Sequence, residues 1–280
     1  MSDSEGNFAA DTEFRRLLVR DETIDLPTVA LEIARDAYPD LDFQPTLAWI
    51  RERGRDLAPR MARAAGDEEL LAQLGNLIGG EFGIKGSRDA YDSPDGSFPH
   101  RAIATGTGIP ICLSVLYIGV ARAAGVDLTG VCAPGHFLAR YDTLDQPLFV
   151  DAFAGGRVLT QAEVFARLSA QTHVSKAELR PLLEPASARA IVLRILNNLK
   201  ALYANRDEWA AAWPVQQRLC ALSPQSFAER RDLGFIALKS GRSSEAISIL
   251  ETLLKTAPKD ERSMIEATLR SATREMARWN

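Results

Sequence analysis

The stretch GIPICLSVLYIGVARAAG, residues 108–125, decides how the rest of the chain is read. Pro110 stands near its start and Gly125 just past its apolar run. That is the order in which helices begin and end, because proline's missing N–H is harmless in a first turn and glycine accepts the left-handed residue that closes a last one. From Ile111 to Ala124 polar residues are few, so the predicted helix is buried on most sides. Such a helix needs a covering layer, and the sequence supplies one directly after it. Leu128–Cys132, Phe137–Tyr141 and Leu148–Val150 read as short strands, divided by Pro134-Gly135 and by the turn-like residues Asp142 to Pro147. The expectation is a helix-rich α+β middle domain, a buried helix against a small antiparallel sheet.

Upstream, residues 1–84 read as helices, with Phe14, Leu17 and Leu18, then Val29, Leu31, Ile33 and Ala34, recurring near the 3.6-residue period. The glycine-rich run from Gly79 to Gly86 and the turn formers that follow it predict an irregular loop into the middle domain. Downstream, the last hundred or so residues match themselves at an offset of about 34, the tetratricopeptide period. Leu199 aligns with Leu233, Ala212 with Ala246, Leu219 with Leu253 and Pro224 with Pro258. Small residues at 212 and 246 let helices approach closely, and the prolines end the second helix of each unit. Pro214 falls where the second helix of the first unit is expected to begin. The predicted divisions are 1–84, an N-terminal helical part packed on the core; 85–185, the core; and 186–280, the repeats.

The chain has 280 residues, 46% of them hydrophobic and 25% charged, enough for one large or two ordinary domains with a real core. A net charge of −4 without long single-sign runs offers no positive field for a phosphate backbone, so nucleic acid is not an expected partner. The polar, acidic first fifteen or so residues lack the features of a secretory signal, and no window is apolar over the roughly 20 residues that span a bilayer. A cytoplasmic location, with no membrane partner, is expected. Three widely spaced cysteines, Cys112, Cys132 and Cys220, form no CxxC pair and are free thiols on this reading. Asp89, Asp92 and Asp95 do not follow the alternating ligand spacing of a calcium loop, and the glycines near 79 and 106 lack a phosphate-loop context. No metal and no cofactor is expected.

Cys112 lies two residues after Pro110, in the first turn of the predicted helix, where unpaired N–H groups and the positive end of the helix dipole favour a thiolate. Taken singly, it also fits a small core residue. His136 follows Pro134-Gly135 at the start of a strand, where its ring can take a proton from a thiol, or serve only a structural hydrogen bond. Asp151 ends the strand Leu148–Val150, able to orient an imidazole or to cap a turn. His100 either lines a cleft or sits on a surface loop, and His173 carries no site signal. Tyr91 and Tyr117 are pocket candidates outside the expected site. Cys132 and Cys220 read as packing residues.

Together these residues resemble the bacterial transglutaminase-like proteins with C-terminal tetratricopeptide repeats, of the SirB-one type. The resemblance runs through Glu81 to Gly86, Tyr91-Asp92, Gly108 to Tyr117, Pro134 to Leu138, Phe149 to Gly156, Asn198 to Lys200 and the repeats. It implies a transglutaminase-like, papain-like core with cysteine on a helix and histidine and aspartate on successive strands, an order that falls on Cys112, His136 and Asp151. Two functions follow as expectations. One is a cysteine-dependent amide or peptide hydrolase, or acyl transferase, acting through that triad. The other is a non-catalytic scaffold whose repeats hold a protein or peptide partner. The residues leave the oligomeric state open.

Overall fold

The computed structural model describes residues 8–21, 23–172 and 176–279. They fall into two units, residues 11–195 and residues 196–279 with 8–10. In the first, helices precede the sheet: α1 (Thr12–Leu18), α2 (Leu26–Ala34), α3 (Gln44–Met61) and α4 (Asp67–Gly75). Two of the starts have a plain local cause. Asp25 caps α2 by accepting from the Thr28 N–H at 3.0 Å, with Pro27 in the first turn. Acidic Asp67, Glu68 and Glu69 occupy the first turn of α4, where the helix dipole favours them.

Where the sequence predicts an irregular loop, α4 instead continues as a π-helical turn, Asn76–Glu81. The physical reason is close packing. A methyl group added at Gly75 would run into the Gly156 carbonyl, and one at Gly79 into that of Gly155. The glycines let two backbones touch. Strand β1 (Lys85–Gly86), two 3-10 turns, α5 (Pro99–Thr105) and β2 (Thr107–Gly108) follow, β1 pairing parallel with β2.

Helix α6 (Pro110–Ala123) begins on extended Ile109 with Pro110 at its first position. It closes on left-handed Gly125, the Val126 N–H donating back to the Ala121 carbonyl at 2.9 Å. Every residue from Pro110 to Ala121 is buried. Gly119 receives Pro27 of α2, and Gly54 of α3 receives Ala123, so the helix is embedded by close approach on two sides.

The sheet is antiparallel in the order β3 (Thr129–Val131), β4 (Leu138–Tyr141), β5 (Leu148–Asp151), β6 (Arg157–Thr160). Its fourth strand was not expected from the sequence. It is short, follows Gly155-Gly156 immediately, and pairs Asp151 with Arg157 and Phe149 with Leu159. One face of the sheet meets α7 (Gln161–Thr172) and α8 (Lys176–Leu179) through Val131, Phe149, Leu159, Val164, Leu168 and Leu179. The result is the helix-rich α+β core with a small antiparallel sheet that the sequence predicts.

Helix α9 (Ala188–Asn205) carries the chain into the second unit, which holds α10 (Trp209–Leu222), α11 (Phe227–Lys239), α12 (Ser243–Leu254) and α13 (Lys259–Trp279). Pro224 and Pro258 fall just beyond α10 and α12, as the repeat predicts, and Ala212 and Ala246 are fully buried. Pro214, however, lies inside α10 rather than at its start. Here Lys200 donates to Glu229 at 3.1 Å and to Asp232 at 2.7 Å, while Gln216 Nε2 reaches Glu229 Oε2 at 2.7 Å. The Cys220 thiol donates to the Glu229 carbonyl at 3.2 Å, and burial pushes it up to about 12. Among the described residues, no helix is long and apolar enough to cross a membrane.

Candidate active site

Three local devices bring polar groups to one end of the two central strands. The first is the turn before β4, where left-handed Gly135 lets the chain reverse and the His136 N–H donates to the Ala133 carbonyl at 3.2 Å. Arg194 of α9 clamps this turn. Its Nη1 donates to the Ala133 carbonyl at 2.9 Å and its Nη2 to that of His136 at 2.8 Å. The second is strand register. Ala139 faces Val150, which carries the end of β5 alongside the start of β4 and Asp151 to the neighbourhood of His136. The third is the turn after β5, where left-handed Gly155 and Gly156 fold the chain back and the Gly156 N–H donates to the Asp151 carbonyl at 2.9 Å.

The outcome is a carboxylate with both oxygens bonded. Asp151 Oδ1 meets His136 Nε2 at 3.0 Å and accepts from the Ala154 N–H at 3.1 Å, and Oδ2 accepts from Arg167 Nη1 at 2.7 Å. Burial alone would raise its pKa. The bond to His136, the charge of that ring, the Ala154 amide and Arg167 outweigh burial and hold the carboxyl below the ordinary value. An ionised acceptor on Nε2 keeps the proton of a neutral imidazole on that nitrogen and leaves Nδ1 as a base. Phe153 stands edge-on to the ring, centroids 6.2 Å apart, and is itself fixed against Gly86, whose N–H donates to the Phe153 carbonyl at 2.8 Å.

His136, Asp151 and Arg167 open on a cavity of about 360 Å³, otherwise lined mainly by Tyr91, Phe153, Leu159, Val164 and Leu168. Cys112 does not line it. The thiol occupies the third position of α6, is 2% exposed, and makes no hydrogen bond to His136 among the described residues. Burial pushes it far above the ordinary thiol range. The helix start pulls the other way, but a dipole effect of about 0.3–1 kcal/mol is less than one pKa unit at about 1.36 kcal/mol each. Desolvation is the larger effect, and burial favours the protonated thiol.

The remaining candidates separate cleanly. His100 neither lines the cavity nor lies on an open loop. Both its ring nitrogens are buried without a partner among the described residues, and Tyr38 and Phe98 pack the ring at 4.9 and 6.1 Å. Tyr117 is fully buried behind the Asp151 turn, its ring against Gly156. Tyr91 is 49% exposed and lines the cavity. Asp95 accepts from Tyr38 at 2.5 Å and from Arg101 at 2.8 Å, a structural tie in place of a calcium ligand. His173 lies outside the described residues. Among the described residues, no three His, Cys, Asp or Glu side chains are grouped to hold a metal. Arg167 and Arg194 carried no signal in the sequence, because a lone arginine on an amphipathic helix reads as part of its solvated face.

Residues 46–197 match the Transglutaminase-like superfamily and residues 199–278 match the tetratricopeptide repeat, a fold with protein-binding capacity. A UPF0162 protein of Xylella fastidiosa (strain Temecula1) is 35% identical over 86% of either chain. Protein SirB1 of Salmonella typhimurium (strain LT2) is 23% identical over 93% of this chain and 94% of its own. F-box only protein 21 of Mus musculus is 31% identical, over 48% of this chain and 22% of its own.

Proposed function

Because this chain belongs to the transglutaminase-like superfamily, we propose that its core performs thiol-dependent acyl chemistry with Cys112 as nucleophile, His136 as base and Asp151 as the group that orients His136. The observation that carries this reading is the His136 Nε2–Asp151 pair at 3.0 Å, with the ring on the wall of a cavity. Nδ1 takes the thiol proton as Sγ attacks a carboxamide or peptide carbonyl, and then gives that proton to the departing amine. Water resolves the acyl-thioester to an acid, or a second amine resolves it to a new amide, and either step returns the thiol. The amides of Ile111 and Cys112 precede the first intrahelical bond of α6, and they are the donors available to an oxyanion there. Since Cys112 is covered at rest, the side chains over it must part before the thiol meets a substrate.

The test is a small activated acyl donor such as p-nitrophenyl hexanoate, followed by mass spectrometry. The expected result is an acyl adduct on Cys112 in the wild type, none on Cys112→Ala, and turnover at least about 100-fold slower in His136→Ala. Equal rates in all three, or an adduct elsewhere, would sink the proposal. A second reading has its own support in the 2% exposure of Cys112: the core is a non-catalytic module, and the repeats hold a protein or peptide partner. On that reading no adduct forms, and Cys112→Ala captures the partner as the wild type does.

A further inference from the structure

The ion pair on the cavity wall is oriented. Both partners line the cavity, but Asp151 is 3% exposed with both oxygens bonded while Arg167 is 38% exposed, so the pair offers the cavity mainly its cationic end. Among the described residues only Nη1 of Arg167 is bonded, which leaves the Nε and Nη2 donors of a planar fork. The rest of the lining is mainly apolar: Tyr91 is exposed and Phe153 half-buried, and Leu159, Val164 and Leu168 belong to the packed core beneath. At about 360 Å³, the cavity is at the small end of the roughly 300–1,000 Å³ of ligand pockets. It has room for one group of amino-acid size.

We propose that this cavity binds a carboxylate carried on a short apolar body, with Arg167 taking the carboxylate and the Tyr91 and Phe153 rings the body. Two sources offer that chemistry, the C-terminal residue of a peptide and a short fatty acid. The inference rests on the reading above in placing the ligand beside His136, yet it names what is recognised there, whether or not the thiol reacts.

The test is calorimetric titration of the full chain with N-acetyl-leucine, N-acetyl-leucinamide, N-acetylglycine and hexanoate. N-acetyl-leucine is expected to bind at least about tenfold more tightly than the amide, which lacks the charge, and than the glycine compound, which lacks the body. Hexanoate weaker than N-acetyl-leucine assigns the site to a peptide terminus; hexanoate as tight or tighter assigns it to an acyl chain. Arg167→Gln is expected to abolish the preference for carboxylate over amide. Because Arg167 also holds Asp151, Tyr91→Glu serves as a second variant. It leaves the Arg167–Asp151 pair in place, and the added negative charge at the cavity wall is expected to weaken carboxylate binding about tenfold. The proposal is overturned if amide and carboxylate bind wild type equally, if no compound binds at up to about 10 mM, or if Tyr91→Glu leaves carboxylate binding unchanged. Titrating Cys112→Ala separates the two ideas. Binding without any acyl adduct on the wild type removes the catalytic reading alone, and an adduct without carboxylate preference removes this one alone.

Discussion

The two sides of the proposed site are built in opposite ways. The His136–Asp151 side is made of turns, and its polar atoms are held redundantly, by Arg194 on the backbone, by Arg167 and the Ala154 amide on the carboxylate, and by Phe153 on the ring. The Cys112 side is made of one helix buried along its length, and among the described residues no hydrogen bond holds the thiol. The contrast teaches that position on a helix and chemical readiness are separate matters. The same burial that anchors α6 favours the protonated form of its cysteine.

The contrast breaks most visibly at Asp151. Asp151→Ala removes the acceptor of His136 and Arg167 together, and it should cost about 3 kcal/mol of stability in urea unfolding; a loss near zero would mean the turn is held by its backbone alone. On the other side, Cys112→Ser puts a hydroxyl at a position that is 2% exposed within the apolar run of α6. It should cost about 1–2 kcal/mol, with Cys112→Ala milder; if serine were the better tolerated, the surroundings of Cys112 would be more polar than described. Iodoacetamide offers a kinetic comparison, since half-buried Cys132 should be labelled at least about tenfold faster than Cys112 in the native protein, the difference vanishing in urea. Faster labelling of Cys112 would erase the contrast and favour an activated thiol.

The smallest expected effect concerns His100, whose pKa is lowered by burial first and by Arg101 second, against the opposing charge of Asp95. Tyr38, whose hydroxyl bonds Asp95, is the other titratable group against the ring. Below the ordinary histidine value of about 6.5 the unfolded chain takes up this proton before the folded chain does. Stability from the neutral ring is therefore complete above that pH and declines as pH falls below it. Thermal melts between pH 7.5 and 5 should show the decline, and His100→Gln should flatten it.

What could be read from the sequence follows the range of the forces involved. Helix α6 and strands β3 to β5 were legible because a proline, a glycine and alternating apolar runs act within a few residues. The family resemblance rested on such local words too, and the superfamily match agrees with it. Strand β6 was not legible, since four residues after a glycine pair carry too little pattern. The π-helical turn was hidden as well, because Gly79-Gly80 reads as a loop until Gly155 is known to lie against it. Arg167 and Arg194 act across 16 and 58 positions of sequence, on Asp151 and on the His136 carbonyl, and no local pattern announces that. For Cys112 the two local signals conflicted, a helix start favouring thiolate and an apolar run favouring burial, and only the relative energies decide between them.

The contact between the Gly75–Gly79 face and the Gly155-Gly156 turn has a consequence for how this chain can drift. Backbone touching backbone has no rotamers to repack, so substitution cannot be absorbed there by a neighbour's adjustment. One residue along, a side chain at Gly80 would meet nothing within 4 Å. Adjacent glycines thus stand at opposite ends of mutational tolerance. A library randomised at both should return glycine at 79 and almost anything at 80.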